Sequence, residues 1–310
     1  MNINYMTYYI PENKVSVNDI IDCYEKAELP KEFNDKQELS YFFERFIGLN
    51  EVYIDNNIDE VELIDRAFRK MDIETKLSLC DIELIIDFSC DSFFKLKNCG
   101  HYIKSSYGLK NANVINMSGN LCANLDVALS FFSKQYISQS QSKILFCGGC
   151  KIPPKKRLAG SFSIMGDSYG IMIVDFVNHT LELIDSEIQT VEDLYKEQES
   201  ENQALLMSQM HVNCLSALFA RHDKKQIKKV FIPNGFPLLI IQSLKYIGFE
   251  ENIIYTKNIS KGHFAYLDSL INMYDFISDN PDFKGQILVI SISYSGTIVG
   301  TIYNKINETD

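Results

Sequence analysis

Two residues far apart in the chain, Cys122 and His263, have the side-chain types that nucleophilic acyl chemistry needs. A cysteine thiolate attacks a thioester carbonyl, and an imidazole takes the proton of the thiol. Each residue begins a segment that is apolar nearly all round, 122–137 and 263–277, which predicts two buried helices. A helix N-terminus carries partial positive charge and unpaired N–H groups, which favour a thiolate and bind an oxyanion. The sequence therefore indicates a cysteine nucleophile and a histidine base.

Each of these two residues also has a structural interpretation that needs no chemistry. A buried cysteine behaves as a small hydrophobe, and a histidine can be a hydrogen-bonded member of the core. For Cys122, the turn Ser118-Gly119-Asn120 directly before the predicted helix favours the nucleophile. The remaining histidines have no comparable context and are interpreted as structural: His101, His179, His211 and His222.

Cys147 and Cys150 have the spacing of a CxxC motif. Neither a second cysteine pair nor a His-x₃-His partner accompanies it in the sequence, so a zinc site is not indicated. The motif follows the apolar run Ile144-Leu145-Phe146, which places it at the end of a predicted strand. We therefore expect two structural cysteines and no metal site.

The elements that must position Cys122 and His263 repeat along the chain. Both halves are predicted to run helix, strand, helix, strand, apolar helix, strand, strand, which indicates a duplicated α/β unit. The predicted junction is the polar stretch 192–202, which is rich in Glu and Gln and divides a half at 1–190 from a half at 191–310. If the halves pack about a pseudo-twofold axis, the N-termini of the two apolar helices converge and bring the sulfur and the imidazole together.

Composition bounds the class of protein. The chain has 310 residues, of which 46% are hydrophobic and 23% charged, as in ordinary globular proteins. A net charge of −11 argues against nucleic-acid binding, which depends on neutralising phosphates. The sequence shows neither a signal peptide nor an apolar run long enough to span a bilayer, and its cysteines are scattered. We expect a reduced, cytoplasmic protein that binds neither nucleic acid nor membrane.

Four short motifs resemble the type III β-ketoacyl-acyl carrier protein synthases of the thiolase-like superfamily, over essentially the whole chain. The motifs, in order, are Tyr9-Ile10-Pro11 with Val17-Asn18-Asp19-Ile20, then Asn120-Leu121-Cys122-Ala123, then Gly166-Asp167-Ser168-Tyr169-Gly170, and last Ser295-Gly296-Thr297-Ile298-Val299-Gly300. They correspond to the opening strand and helix, the segment of the nucleophilic cysteine, the Gly-Asp turn, and the C-terminal glycine-rich turn.

The resemblance implies a layered αβαβα fold and a covalent acyl-thioester mechanism. Cys122 would take an acyl group from coenzyme A or from an acyl carrier protein through the phosphopantetheine arm. The backbone N–H groups of Cys122, Ser295 and Gly296 would form the oxyanion hole. No metal or redox cofactor is implied.

The chain also departs from the family pattern. Asn234 in Pro233-Asn234-Gly235 stands where the family has histidine, and His263 in Gly262-His263 stands where the family has asparagine. His263 would then be the general base with Asn234 assisting, and Asp268 is a candidate to orient the imidazole. Decarboxylative condensation needs two donors to the malonyl carbonyl, whereas acyl transfer to oxygen or nitrogen needs only cysteine and a base. Both reactions stay open at this stage.

Bulky residues replace small ones in two of the turns, Ser168 and Tyr169 in the Gly-Asp turn and Tyr294 beside the glycine-rich turn. We expect these side chains to narrow the acyl tunnel. Together with the exchanged histidine and asparagine, they also allow an alternative function, a non-catalytic synthase-like subunit that supports an active partner. The retained Cys122 and the glycine-rich turns favour the enzyme.

Two basic clusters are candidates for docking an acidic carrier protein, although either could be an ordinary solvated face. The clusters are Lys151, Lys155, Lys156 and Arg157, and Arg221, Lys224, Lys225, Lys228 and Lys229. The strand around Val114–Met117 resembles the dimer-edge strand of the family, so we expect a homodimer or a heterodimer with a related synthase. Departures of this size favour specialised metabolite biosynthesis over housekeeping lipid synthesis.

Overall fold

Alternate residues of the long strands face two different hydrophobic cores, so these strands are apolar at almost every position. In the strand Ile82–Asp87, for example, the side chain of Ile85 packs into a core on the outer face of the sheet, and that of Ile86 into the core at the centre of the molecule. A strand that is covered by helices on both faces needs this continuous apolar sequence. The structure, a computed structural model, describes residues 1–75, 77–90, 94–96, 98–135, 143–176, 181–191 and 203–306.

Ten strands form one mixed sheet. They are β1 (Asn2–Tyr9), β4 (Ile82–Asp87), β5 (Asn113–Asn116), β6 (Lys143–Cys150), β9 (Ser168–Asp175), β10 (Leu181–Thr190), β11 (Ile227–Phe231), β12 (Ile254–Tyr255), β13 (Gly285–Ile292) and β14 (Thr297–Lys305). Two small antiparallel sheets lie outside this sheet: β2 (Lys14–Ser16) pairs with β3 (Glu51–Tyr53), and β7 (Leu158–Ala159) forms a hairpin with β8 (Ser163–Ile164).

The order of the sheet shows the duplication. It runs β12-β11-β13-β14-β10-β1-β9-β6-β4-β5. Counted along the chain within each half, the third strand (β5 or β12) is outermost and the first strand (β1 or β10) is innermost. The two first strands, β1 and β10, pair antiparallel at the centre, with Asn2 opposite Glu182. The two halves are therefore related by a pseudo-twofold axis between these strands. β10, which the sequence division at 1–190 assigned to the first half, holds the first-strand position of the second. The predicted junction 192–202 and His179 lie outside the described residues.

Helices cover both faces of the two sheet halves. They are α1 (Val17–Asp22), α2 (Lys36–Phe42), α3 (Glu60–Glu74), α4 (Cys99–Ser106), α5 (Asn124–Gln135), α6 (Gln203–Phe219), α7 (Pro237–Tyr246) and α8 (Asp268–Asp279). α3 and α4 pack on the outer face of the first half, and α6 and α7 on the outer face of the second. α5 and α8 form the central layer with the inner faces of both halves. The arrangement is the layered αβαβα fold of the sequence prediction.

The CxxC segment lies at the end of β6, as predicted. Cys147 and Cys150 are buried and both are free thiols. Their sulfurs lie near backbone carbonyls, Cys147 Sγ 3.8 Å from the oxygen of Ile86 and Cys150 Sγ 3.4 Å from that of Gly166. Burial raises the pKa of both thiols well above the ordinary value, so the two residues are neutral members of the core.

Candidate active site

The two central helices begin in the same way, which brings the candidate nucleophile and base together. A 3₁₀ turn precedes each helix, Leu121–Ala123 before α5 and Ala265–Leu267 before α8. The first residue of each turn has a left-handed backbone, with φ of +43° at Leu121 and +51° at Ala265. Such conformations are strained for residues other than glycine and concentrate at functional sites. The two turns contact each other at the pseudo-twofold axis.

Cys122 and His263 meet at this contact. Cys122 Sγ lies 3.3 Å from Nε2 of His263, and both side chains are buried. His263 was predicted to begin its helix, but in the structure it precedes the 3₁₀ turn. Its N–H donates to the carbonyl of Ile164 at 3.0 Å, and it forms an isolated bridge with Met165. The imidazole is therefore anchored to the β7–β8 hairpin rather than to a helix terminus.

Asp268 holds the other side of the imidazole. Its Oδ2 accepts a hydrogen bond from Nδ1 of His263 at 2.6 Å and another from the N–H of Asn234 at 2.7 Å. Its Oδ1 accepts from the N–H of Phe264 at 2.7 Å. Because the carboxylate only accepts, Nδ1 carries a proton and Nε2 faces the sulfur. The structure thus forms a Cys122–His263–Asp268 relay.

The electrostatics of the relay favour an imidazolium. Burial alone would lower the pKa of His263, but the charges of Asp268 and Cys122 outweigh it and raise that pKa to about 10. A positively charged imidazole 3.3 Å from Sγ stabilises the thiolate, which is the nucleophilic form of cysteine. The 3₁₀ turn of Cys122 leads directly into α5, so the positive end of that helix acts in the same direction.

The side chain of Asn234 makes its hydrogen bonds outside the relay. Its Nδ2 donates to the carbonyl of Gly262 at 2.8 Å, and its Oδ1 accepts from Nδ2 of Asn272 at 3.3 Å. Within the described residues, its side chain has no hydrogen bond to Cys122 or His263. Its backbone N–H, by contrast, helps to orient Asp268. Assistance by the Asn234 side chain at the substrate stays a prediction.

The loop that carries Ser295 and Gly296 closes on itself. The N–H of Ser295 donates to Oγ of Ser293 at 3.1 Å, and the N–H of Gly296 donates to the carbonyl of Ser293 at 3.0 Å. A contribution of these two groups to an oxyanion hole stays a prediction. The N–H of Cys122 has no backbone or side-chain acceptor in the part of the chain that the structure describes.

The Gly-Asp turn is held by buried charges. Asp167 is fully buried and accepts from Arg157 at 2.9 Å and from Lys151 at 2.9 Å. These two cations of the first basic cluster therefore stabilise the turn and are not a docking surface. Tyr169, which follows the turn, is also fully buried, and its hydroxyl lies 3.1 Å from the sulfur of Cys99.

The second basic cluster is partly engaged. Arg221 forms ion pairs with Asp185 at 2.9 Å and Glu187 at 3.1 Å, and Lys224 donates to the carbonyl of Ile247. Lys225 and Lys228 are exposed. Within the described residues, neither of these two lysines has a carboxylate partner.

Several residues of the site escaped the sequence analysis. Asn124, Asp126 and Asn272 are buried polar residues on α5 and α8, the two helices that were predicted to be apolar nearly all round. Polar side chains on a fully buried helix must find hydrogen-bond partners. Polar residues within the two apolar segments could therefore have pointed to these positions from the sequence. Asn124 accepts from the N–H of Asn120 at 2.8 Å and thereby holds the turn before Cys122.

Comparisons with solved structures bear on the fold. The chain is similar to ChlB3, described as an acyltransferase, with a TM-score of 0.81 and 11% identity over 99% of this chain and 98% of that one. It is similar to 3-oxoacyl-[acyl-carrier-protein] synthase III of Aquifex aeolicus, with a TM-score of 0.74 and 14% identity over 98% and 99%. The fold is thiolase-like.

A third thiolase-like neighbour is 1,3,6,8-tetrahydroxynaphthalene synthase of Streptomyces coelicolor, a type III polyketide synthase. Its TM-score is 0.73 and its identity 11%, over 99% of this chain and 100% of that one. By sequence, no family model and no curated protein matches the chain. The general kind of chemistry among these neighbours is condensation or acyl transfer. Within the described residues, no helix is both long and apolar enough to cross a membrane.

Proposed function

We propose that the chain is an acyltransferase that forms an acyl thioester on Cys122 and passes the acyl group to a hydroxyl or amine. The observation that supports this most directly is the relay of sulfur, imidazole and carboxylate, with contacts of 3.3 and 2.6 Å. The relay is buried; Cys122 lies in the 3₁₀ turn before α5, Asp268 begins α8, and His263 precedes the turn before α8. The likeness to ChlB3, described as an acyltransferase, agrees with this proposal.

The first half-reaction transfers the acyl group to sulfur. The Cys122 thiolate attacks the thioester carbonyl, forming a carbon–sulfur bond and an oxyanion that the Cys122 N–H can bind. The intermediate collapses by breaking the bond to the phosphopantetheine sulfur. The imidazolium of His263 gives its Nε2 proton to that departing thiolate and becomes neutral.

The second half-reaction regenerates the relay. Neutral His263 takes the proton of the acceptor hydroxyl or amine as its oxygen or nitrogen attacks the acyl carbon. The carbon–sulfur bond then breaks, and Cys122 leaves as a thiolate beside the imidazolium. Asp268 keeps Nδ1 protonated and stabilises the positive charge throughout.

Transfer to oxygen or nitrogen fits the site better than decarboxylative condensation. Condensation asks for two donors on the malonyl carbonyl, and His263 is one of them. The Asn234 amide, the second candidate, is already bound by Gly262 and Asn272. A single base next to the thiolate meets the needs of acyl transfer.

Intact-mass measurement tests the proposal. The protein is incubated with a panel of acyl-CoA and acyl carrier protein donors, and we expect a mass gain of one acyl group. The gain should be absent in Cys122→Ala. It should be unchanged in the control variant Cys147→Ala, which removes another buried thiol elsewhere in the core. Absence of any gain across the panel would favour the non-catalytic subunit instead.

The acceptor is tested on the isolated acyl-enzyme. Small alcohols and amines should remove the acyl mass and yield esters or amides. A malonyl donor should leave it in place. Discharge by malonyl-carrier protein with release of CO₂ would instead show that the reaction is condensation.

The donor carries its acyl group on phosphopantetheine, and we propose that the reaction uses no metal or redox cofactor. Lys225 and Lys228 are two exposed cations of the second basic cluster, and we propose that they contact a carrier protein. Reversing both to Glu should weaken carrier binding, and the loss should shrink as salt is raised. The same reversal should leave acylation by acyl-CoA unchanged. Equal affinity of both proteins for the carrier would exclude this surface.

We further propose a dimer through β5, whose outer edge pairs with no other described strand and exposes Ile115. Sedimentation of the wild type and of Ile115→Lys tests it, since a charge on that edge should shift the protein toward monomer. A pathway of specialised metabolism is part of the same proposal.

A further inference from the structure

A buried carboxylate outside the relay, Asp126, connects the elements that carry the relay. It lies one helical turn after Cys122, near the start of α5, and only 1% of its surface is exposed. Its Oδ2 accepts from the hydroxyl of Ser269 on α8 at 3.0 Å. The same oxygen accepts a short hydrogen bond from the hydroxyl of Ser291 on β13.

Each partner of Asp126 is next to a different part of the site. Ser269 directly follows Asp268, the carboxylate that orients the imidazole. Ser291 lies on the strand that leads into the loop of Ser295 and Gly296. One side chain therefore ties together the segments of the nucleophile, of the orienting carboxylate and of the glycine-rich loop.

We infer that Asp126 is a positioning residue, which holds the Cys122 helix in register with the Asp268 helix and the glycine-rich loop. The inference rests on the proposed thioester chemistry at Cys122. It assigns no direct contact with substrate to Asp126. Its consequence is that the distance between the sulfur and the imidazole depends on hydrogen bonds that involve neither Cys122 nor His263.

The core around Asp126 supports a specific role over a general packing role. A buried carboxylate is costly unless its hydrogen bonds are satisfied, and an apolar residue would fill this layer more cheaply. Oδ1 of Asp126 has no hydrogen-bond partner among the described residues, and neither has the buried hydroxyl of Tyr303 on β14. Burial raises the pKa of Asp126 to about 6, which shows the strength of this cost.

The test measures the reactivity of Cys122 without any acyl donor. Iodoacetamide alkylation, followed by peptide mass spectrometry, gives a rate for each cysteine. Asp126→Ala should slow alkylation of Cys122 about tenfold because misplacement of the imidazole by a fraction of an ångström weakens the ion pair. Asp126→Asn, which keeps the shape and one acceptor oxygen, should restore most of the rate.

Matched controls separate positioning from general loosening of the core. Ser130→Ala removes an equally buried hydrogen bond one turn further along α5, to Ser186 on β10, and should leave the Cys122 rate within about twofold. A loosened core would speed alkylation of buried Cys147 in Asp126→Ala. Slower Cys122 with unchanged Cys147 supports the inference. An unchanged Cys122 rate, or faster alkylation of both, overturns it.

Single-hydroxyl variants keep the test decisive if Asp126→Ala does not fold. Ser269→Ala and Ser291→Ala each remove one tie and should each slow Cys122. Combined in one protein, the two serine substitutions should have non-additive effects, because the three side chains act as one unit. Full additivity would contradict the inference. Acyl loading of the wild type, measured separately, decides the proposed function, so the two failures are distinguishable.

Discussion

Replacing Asp268 by Asn tests the relay most directly, because it keeps the shape of the side chain and removes its charge. The carboxylate lies 2.6 Å from Nδ1 of His263, and both side chains are at least 97% buried. With an effective dielectric constant of about 20 and about 4 Å between the centres of charge, the attraction is about 4 kcal/mol. At about 1.4 kcal/mol for each factor of ten, this corresponds to about a thousandfold loss in the imidazolium–thiolate pair.

The amide that Asp268→Asn introduces also meets the wrong partners. The native carboxylate accepts from three N–H donors, those of Asn234 and Phe264 and the ring of His263. An amide has one oxygen, so its NH₂ group must face at least one of these donors. This adds to the loss of charge, so the expected rate of Cys122 alkylation by iodoacetamide at pH 7 is about a thousandfold below that of the wild type.

The pH profile gives a second, independent signature. Because Asp268 and Cys122 raise the pKa of His263 to about 10, the imidazole should stay protonated in the wild type, and the NMR signals of its ring should not shift from about pH 7 to pH 9. Without the carboxylate that pKa falls, and the ring signals should shift over the same range as the proton is lost. Asp275→Asn, a substitution further along α8 that breaks a bond to Lys261 instead, should leave the ring signals unshifted, as in the wild type.

Double substitution completes the test. Since imidazole and carboxylate act as a unit, Asp268→Asn should cost little more in a His263→Ala background. An Asp268→Asn protein that folds and reacts within tenfold of the wild type, with ring signals that do not shift with pH, would refute the relay.

Three further substitutions probe the surroundings of the relay. Gly235→Ala places a Cβ 3.2–3.3 Å from three ring atoms of His263, so the ring must shift, and stopped-flow acylation should slow about tenfold with folding retained. Tyr294→Ala removes a ring that lies 4.8 Å from that of Phe236, and a donor panel should then show longer acyl groups being accepted. An unchanged length preference would contradict the narrowing role of Tyr294. For Asp126, the pKa of about 6 in the fold lies above the unfolded value of about 3.9, so the free energy of unfolding should fall by about 3 kcal/mol as pH rises from about 3 to 7. Urea titrations should show this fall in the wild type and its absence in Asp126→Asn.

The sequence allowed the fold and the meeting of Cys122 with His263 to be predicted, because both depend on long-range patterns. Because the order of helices and strands is repeated and each half has one apolar helix, the two apolar helices must pack in a central layer. In that layer the starts of the two helices lie close together. The finer geometry depends on backbone conformations that periodicity does not encode. The left-handed residues Leu121 and Ala265 are ordinary apolar letters in the sequence, so the 3₁₀ turns were not foreseen.

The hydrogen-bond partners of the polar residues could not be predicted either. Asp268 was a candidate because it lies five residues after His263 in the sequence, but a separation of five residues does not define a contact. Asn234 was expected to serve the substrate, whereas its amide is bound by Gly262 and Asn272. The backbone group that a side chain meets, a carbonyl or an N–H, belongs to the end of a strand that is far away in the sequence. Its identity therefore cannot be inferred from neighbouring residues.

The equivalent starts of α5 and α8 show why only one half of the duplicated fold carries an orienting acid. Asn124 and Asp268 occupy the same position, and each accepts from the N–H four residues before it. Beyond that bond, Asn124 meets the carbonyl of Phe88, just after β4, which requires an amide N–H. Asp268 meets the N–H of Asn234, after β11, which requires an acceptor. A backbone carbonyl after the strand of one half and a backbone N–H after the strand of the other thus select an amide in the first half and an acid in the second. Exchanging the two side chains would leave each facing a backbone group that it cannot bind.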